Sequence, residues 1–220
     1  NFPLGLSFDA AGRLWVSDFN NNRALAFDVS AISNGEAAVA VLGQANFNSN
    51  APGISQSGMI APADLTYDSG NARLFVADTF NHRVLVFNAV GGAVPSGRNA
   101  DHVLGQTAFN VNSPGLGQNR LNLPRGIAYD EEGSQVFVSD FNNNRILVFP
   151  APGTIANGSN AANVLGQLTF AAGAAAVTQN GLNGPGAGIV VNGLTKNLFV
   201  GDLRSNRIVQ WQLTPSNPPP

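Results

Sequence analysis

The chain of 220 residues contains no cysteine. That excludes a disulfide framework, a cysteine zinc site and a thiol nucleophile, and it leaves the redox compartment open. Charge is scarce as well: Asp, Glu, Lys and Arg make up 11% of residues, and Lys196 is the sole lysine beside ten arginines. With a net charge of −2, the chain has no long-range attraction for a phosphate backbone or an anionic membrane surface, so nucleic acid is not expected as a partner. No apolar run approaches the roughly 20 residues that span a bilayer, so no membrane span is expected. The chain opens at Asn1 without a charged and then apolar leader, which reads as a mature or trimmed product. Low charge together with abundant Asn, Gly and Ala suits a secreted or cell-surface protein, of bacterial type.

What the sequence does contain is a repeat. The segment Pro3 to Phe27 returns at Pro62 to Phe87, Pro124 to Phe149 and Pro185 to Trp211, a period of 59 to 62 residues. Each copy carries an apolar triplet, an Asp, four loop residues, an Arg and a second apolar run. The Asp–Arg pairs are Asp18 and Arg23, Asp78 and Arg83, Asp140 and Arg145, and Asp202 and Arg207. Between copies, Val-Leu-Gly-Gln stands at 41–44, 103–106 and 164–167, followed each time by 17 residues before the proline that opens the next copy. Phe47, Phe109 and Phe170 recur inside that connection, as do Gln56, Gln118 and Gln179, and Met59, Leu121 and Leu182. A disordered linker would not hold such a register.

The unit reads as four short strands separated by turn formers such as Ala11-Gly12, Gly70-Asn71 and Glu132-Gly133. The second and third strands are apolar without alternation, as in Val84-Leu85-Val86-Phe87, which implies burial on both faces. A small sheet covered on both faces by copies of itself is a propeller blade. A β-helix fits less well, because its coils are shorter and lack the long fixed connection. The fold class expected is therefore all-β: a propeller of four blades of four antiparallel strands, either closed or part of a larger ring or assembly. The domain spans 1–213, in units 1–61, 62–123, 124–184 and 185–213. The last unit lacks a Val-Leu-Gly-Gln strand and is expected to have three strands, and a proline-rich tail occupies 214–220.

The Pro-x-Gly-(Ile/Leu)-x-(Phe/Tyr)-Asp opening, the Phe-Val-(Ala/Ser)-Asp strand and the Asn-(Asn/His)-Arg-(Val/Ile)-Leu-Val-Phe strand resemble NHL repeats across essentially the whole chain. The fourth copy departs from the pattern at Pro185-Gly186-Ala187-Gly188, at Asn192 and at Ser205-Asn206. The resemblance implies a propeller that usually has six blades, and a binding or assembly role.

Among the polar residues, the four Asp–Arg pairs occur once per unit. They read as blade architecture, with the Asp capping the turn between second and third strands and pairing with Arg across the hairpin. His82 and His102 exhaust the imidazole supply, and His82 takes the turn position of Asn22 and Asn144. The several histidines with which NHL-like lyases hold a channel metal are therefore missing. Calcium remains open through Asn48, Asn50, Asn110 and Asn112, although the third connection reads Ala171-Ala172-Gly173 at that place; no other cofactor is expected. Function in a repeat protein should break the repeat. Asp64 stands where the other copies have Gly5, Gly126 and Gly188, and Arg125 precedes the equivalent glycine of the next unit. Phe19, Phe80, Phe141 and Leu203 put apolar anchors among asparagines on one propeller face. The reading is a non-catalytic extracellular scaffold that binds protein or glycan through that face, or self-associates through its incomplete fourth blade. The alternative is a lyase or hydrolase with an oxygen-ligated channel metal.

Overall fold

A computed structural model describes residues 1–213; the tail at 214–220 lies outside the described residues. Four small sheets stand around a common axis. The first contains β1 (Pro3–Phe8), β2 (Arg13–Asp18), β3 (Arg23–Asp28) and β4 (Ala40–Leu42). The second contains β5 (Pro62–Asp68), β6 (Arg73–Asp78), β7 (Arg83–Asn88) and β8 (His102–Leu104). The third contains β9 (Pro124–Asp130), β10 (Gln135–Asp140), β11 (Arg145–Pro150) and β12 (Asn163–Leu165). The last has β13 (Pro185–Asn192), β14 (Asn197–Asp202) and β15 (Arg207–Gln212), and so has three strands among the described residues. Every neighbouring pair is antiparallel, and the strands lie in chain order across each blade. The propeller and its short last blade are as the repeat predicts.

The register explains why the second and third strands are apolar throughout. One face of each blade packs forward and the other backward. Thus Phe75, Val84 and Val86 of the second blade meet Ile127, Val136, Val138 and Leu147 of the third. Likewise, Phe137, Ile146 and Val148 of the third meet Ile189, Leu198 and Val200 of the fourth. At each of these junctions water is excluded from both sides of a strand, so alternation would bury polar groups. The innermost strands pack β1 on β5, β5 on β9 and β9 on β13, and no comparable packing brings β13 back to β1.

Two devices lock successive blades. Gly43, Gly105 and Gly166 have positive φ, and a Cβ at any of them would press on Met59, Leu121 or Leu182, the apolar residue fixed in each connection. At the turn between second and third strands, Asn22, His82 and Asn144 adopt the left-handed conformation with φ of 52–54°. Their side chains accept the backbone N–H that precedes the next blade: Ala61 to Asn22 at 2.9 Å, Leu123 to His82 Nδ1 at 3.0 Å and Gly184 to Asn144 at 2.8 Å. His82 is thus a half-buried tie between blades, not the exposed turn residue its position suggested. Burial lowers its pKa, which keeps Nδ1 free to accept.

Equivalent positions of the four blades do not share one environment. Leu6, Leu65, Ile127 and Ile189 share a register, but Leu65, Ile127 and Ile189 are 2%, 3% and 8% exposed while Leu6 is 62% exposed. Among the described residues, none packs on that face of the first blade as the first blade packs on the second.

Candidate functional site

The Asp–Arg pairs are the hubs of the blades. Asp140 Oδ2 accepts Arg145 Nε at 2.7 Å and Asn143 Nδ2 at 2.8 Å, and its Oδ1 accepts the N–H of Asn122 at 2.6 Å. Arg145 Nη2 donates to the carbonyls of Gly117 and Arg120, both at 3.0 Å, and Nη1 to that of Phe170. The guanidinium therefore binds the connection before its blade and the connection after it. Asp78 and Arg83 repeat the pattern with Ile60, Ser55, Gly58 and Phe109. Asp18 with Arg23 and Asp202 with Arg207 keep the ion pair at 2.8 Å. The expected cap on the Asp's own turn is not formed by backbone, since no 3-10 turn receives a side-chain cap bond. The carboxylate instead receives the N–H of the incoming connection. These residues hold the propeller together, and the two central pairs are fully buried.

Asp64 and Arg125 are not brought together. Asp64 is buried where the inner strands meet; its carboxylate accepts the N–H of Leu65 at 2.9 Å and of Ile127 at 3.0 Å. A side chain on Gly5 would collide with it. Burial pushes this carboxyl up to about 7, against the two backbone bonds that lower it. Arg125 is the second residue of β9, at the position held by Leu4, Ala63 and Gly186 in the other inner strands. Its guanidinium lies 3.8 Å from the ring centroid of Phe141, and that of Arg204 lies 4.4 Å from the same ring. Neither arginine meets a carboxylate among the described residues. Burial and the Arg204 charge both lower the Arg125 pKa.

The four apolar anchors separate in the same way. Phe19, Phe141 and Leu203 are equivalent, each opening a 3-10 turn, but Phe80 is offset by one residue and Thr79 holds its place. Thr79 Oγ1 donates to the Pro124 carbonyl at 2.7 Å. Phe2, Phe19 and Phe80 form an edge-to-face series with centroids 5.9 and 6.0 Å apart. Phe141 is buried beneath the arginines, while Leu203 is exposed. A cavity of about 910 Å³ is lined by Phe2, Leu4, Phe19, Ala63, Arg125 and Leu203, so that of the two arginines only Arg125 reaches it. It continues sideways onto the open flank of the fourth blade at Gly201 and Ile208.

Arg204 and Phe2 were missed in the sequence. The signal for Arg204 was present: a cation stands where Asn20 and Asn142 stand in other units. Asn48, Asn50, Asn110 and Asn112 are exposed and divided between two connections. No group of three His, Asp or Glu converges among the described residues.

The sequence model of the NHL repeat matches residues 121–149, the end of one connection and the first three strands of the third blade. Residues 121–149 are thus similar to an NHL repeat. NHL repeat-containing protein 2 of Gallus gallus is 33% identical over 88 residues, and that of Homo sapiens 31% over 88. Each match covers 40% of this chain and 11% of the relative, so most of those proteins lies outside the comparison. Among solved structures, a candidate 6-phosphogluconolactonase from Bacteroides uniformis superposes with a TM-score of 0.59 at 15% identity, over 96% of this chain and 50% of that one. A protein of unknown function from Bacteroides thetaiotaomicron superposes at 0.56 and 15% identity, over 94% and 46%. The propeller thus matches about half of two larger chains, a likeness of fold alone.

Proposed function

We propose that this NHL propeller is a non-catalytic binding module that recognises another protein at its axial cavity, through an acidic residue flanked by apolar ones. The observation that carries this reading is Arg125, which lines an apolar cavity and stacks on Phe141 beside Arg204. Two guanidinium groups with no carboxylate partner repel each other, and an incoming carboxylate relieves that repulsion while accepting several N–H donors. Phe2 and Phe19, which line the same cavity, offer the apolar side chain beside it an aromatic surface. A neutral glycan would leave the arginines uncompensated, which favours protein over glycan. The reading includes an extracellular setting, resting on composition alone.

Selection of a random peptide library against the immobilised chain tests it. Enriched peptides are expected to carry Asp or Glu next to an aromatic or aliphatic residue. Their binding should fall at least about tenfold, or about 1.4 kcal/mol, in the double variant Arg125→Ala, Arg204→Ala. It should be unchanged in Arg98→Ala, which removes an ion pair with Asp101 three residues away. Peptides without acidic residues, or binding indifferent to the double variant, would overturn the reading.

A further inference from the structure

The stretch of chain that carries Arg125 is tied to the second blade by three side chains. His82 Nδ1 accepts the Leu123 N–H at 3.0 Å, Thr79 Oγ1 donates to the Pro124 carbonyl at 2.7 Å, and the Asp64 carboxylate accepts the Ile127 N–H at 3.0 Å. The junctions on either side have Gly5 and Gly126 in place of Asp64, Phe19 and Phe141 in place of Thr79, and Asn22 and Asn144 in place of His82. Their ties to Ala61 and Gly184 therefore end on amides, which do not titrate. A proton acts differently on the three ties at Arg125. The Thr79 hydroxyl does not take one, and a protonated carboxyl keeps acceptor capacity. A histidinium carries donors on both ring nitrogens, so His82 with a second proton cannot accept from Leu123. Leu123 has φ of 55°, a left-handed backbone that a bulky residue keeps only while its surroundings hold it there. The charged groups on the elements packed around this junction are engaged elsewhere. Asp78 pairs with Arg83, Arg120 bonds to Gln106 Oε1, Asp140 holds Arg145 and the Asn122 N–H, and Arg125 lies on Phe141. The His82 ring joins no ion pair among the described residues.

We propose that His82 is a pH-sensitive clamp on Arg125: a proton on Nδ1 frees Leu123, its strained backbone relaxes, and Arg125 two residues on is withdrawn from the ring of Phe141. Burial lowers the pKa of His82 from its ordinary 6.5, so the clamp is closed at neutral pH and opens in acid. The folded chain thus takes this proton less readily than the unfolded one, and the stability contributed by the tie is present above pH 6.5 and lost as pH falls below it. Asp64 accepts from Ile127 with or without a proton, which confines the loosening to residues 123–126. The consequence for binding rests on the acidic-ligand reading above: the cavity loses the guanidinium that lines it, and the ligand is released on acidification.

Amide hydrogen exchange and fluorine NMR on the whole chain test the clamp. After correction for intrinsic exchange, protection of the Leu123 amide should fall about tenfold or more between about pH 7.5 and about pH 5, while the equivalent Ala61 and Gly184 amides keep theirs. With 4-fluorophenylalanine placed at Phe141, the fluorine resonance should move over the same range as Arg125 leaves the ring, and Arg125→Ala should remove most of that movement. His82→Asn supplies the acceptor used at the other junctions, without a proton to bind, and should abolish both changes. His102→Asn, on the outer strand β8, should leave both in place. Leu123 protection that follows Ala61 and Gly184 would overturn the proposal. So would pH changes that survive in His82→Asn, which assign the titration to Asp64 or Asp140, or a fluorine resonance unmoved while Leu123 is released. Neither readout contains a ligand, so a failure of the acidic-ligand reading shows separately, in the peptide selection.

Discussion

The same residue pattern leads to opposite fates in the middle and at the ends of this chain. In the second and third blades, Leu85 and Leu147 are fully buried between sheets, and Arg83 and Arg145 bind a connection on each side. In the first blade, Leu25 occupies the same register but lies half-exposed, and Arg23 bonds only to the connection that follows. In the fourth, Arg207 bonds among the described residues to the connection that precedes, through Gly181. The chemistry of a repeat therefore does not decide its energetics. What decides them is whether another repeat lies against it, as nearest-neighbour descriptions of repeat arrays hold.

The sharpest way to break that comparison is at the hubs. Arg145→Ala leaves Asp140 charged and buried without its main partner, and urea denaturation should show a loss of about 3–5 kcal/mol. Arg207→Ala removes fewer bonds from a part-exposed side chain and should cost about 2 kcal/mol or less; equal losses would contradict the comparison. The apolar faces come next. Leu147→Ala should cost about 3 kcal/mol, and the equivalent Leu25→Ala in dilute monomer clearly less, measured by the same unfolding curves.

Asp64 gives a pH signature to the inner strands. Its folded-state pKa, about 7, lies above the ordinary 3.8, so the folded chain holds this proton more tightly than the unfolded one. The resulting stabilisation is complete below about pH 4 and is lost as pH rises through 7. Asp64→Gly restores the residue found at Gly5, Gly126 and Gly188. Relative to that variant, the melting temperature of the native chain should therefore fall between pH 4 and 7, and parallel curves would refute the burial argument. The smallest effect concerns the ties between blades. Asn144→Ala loses the bonds to Gly184 N–H and the Gly173 carbonyl and should cost about 1 kcal/mol more than Asn206→Ala in dilute monomer. The left-handed backbone strain is common to both and cancels.

Much of the fold was legible because strand identity and order are written in local pattern. The spacing of Asp140 and Arg145 marks a hairpin, and the fixed place of Leu121 in its connection marks an ordered crossing. The exposure of Leu6 was not legible, since it depends on what stands beside the residue and its own unit looks like every other. The burial of the Asp140–Arg145 pair was missed for a related reason. The carbonyls of Gly117, Arg120 and Phe170 that surround the guanidinium belong to the connections on either side, and a hairpin read alone does not contain them. At the candidate site, Arg125 was visible as an exception in the repeat. Its stacking on Phe141 beside Arg204 arises only when the third and fourth blades meet. Phe80 was aligned with Phe19 because both follow an Asp closely, and the one-residue offset places it differently on the turn.

Because the chain has no cysteine, single thiols report directly on its faces. Four variants, Leu6→Cys, Leu65→Cys, Ile127→Cys and Ile189→Cys, place one thiol at the same register in each blade, and their rates of reaction with a soluble disulfide reagent can be compared. In dilute solution Leu6→Cys should react at close to the rate of a free thiol, while the other three should be protected by about 100-fold or more, since they react only through opening. Four equal rates would contradict the account.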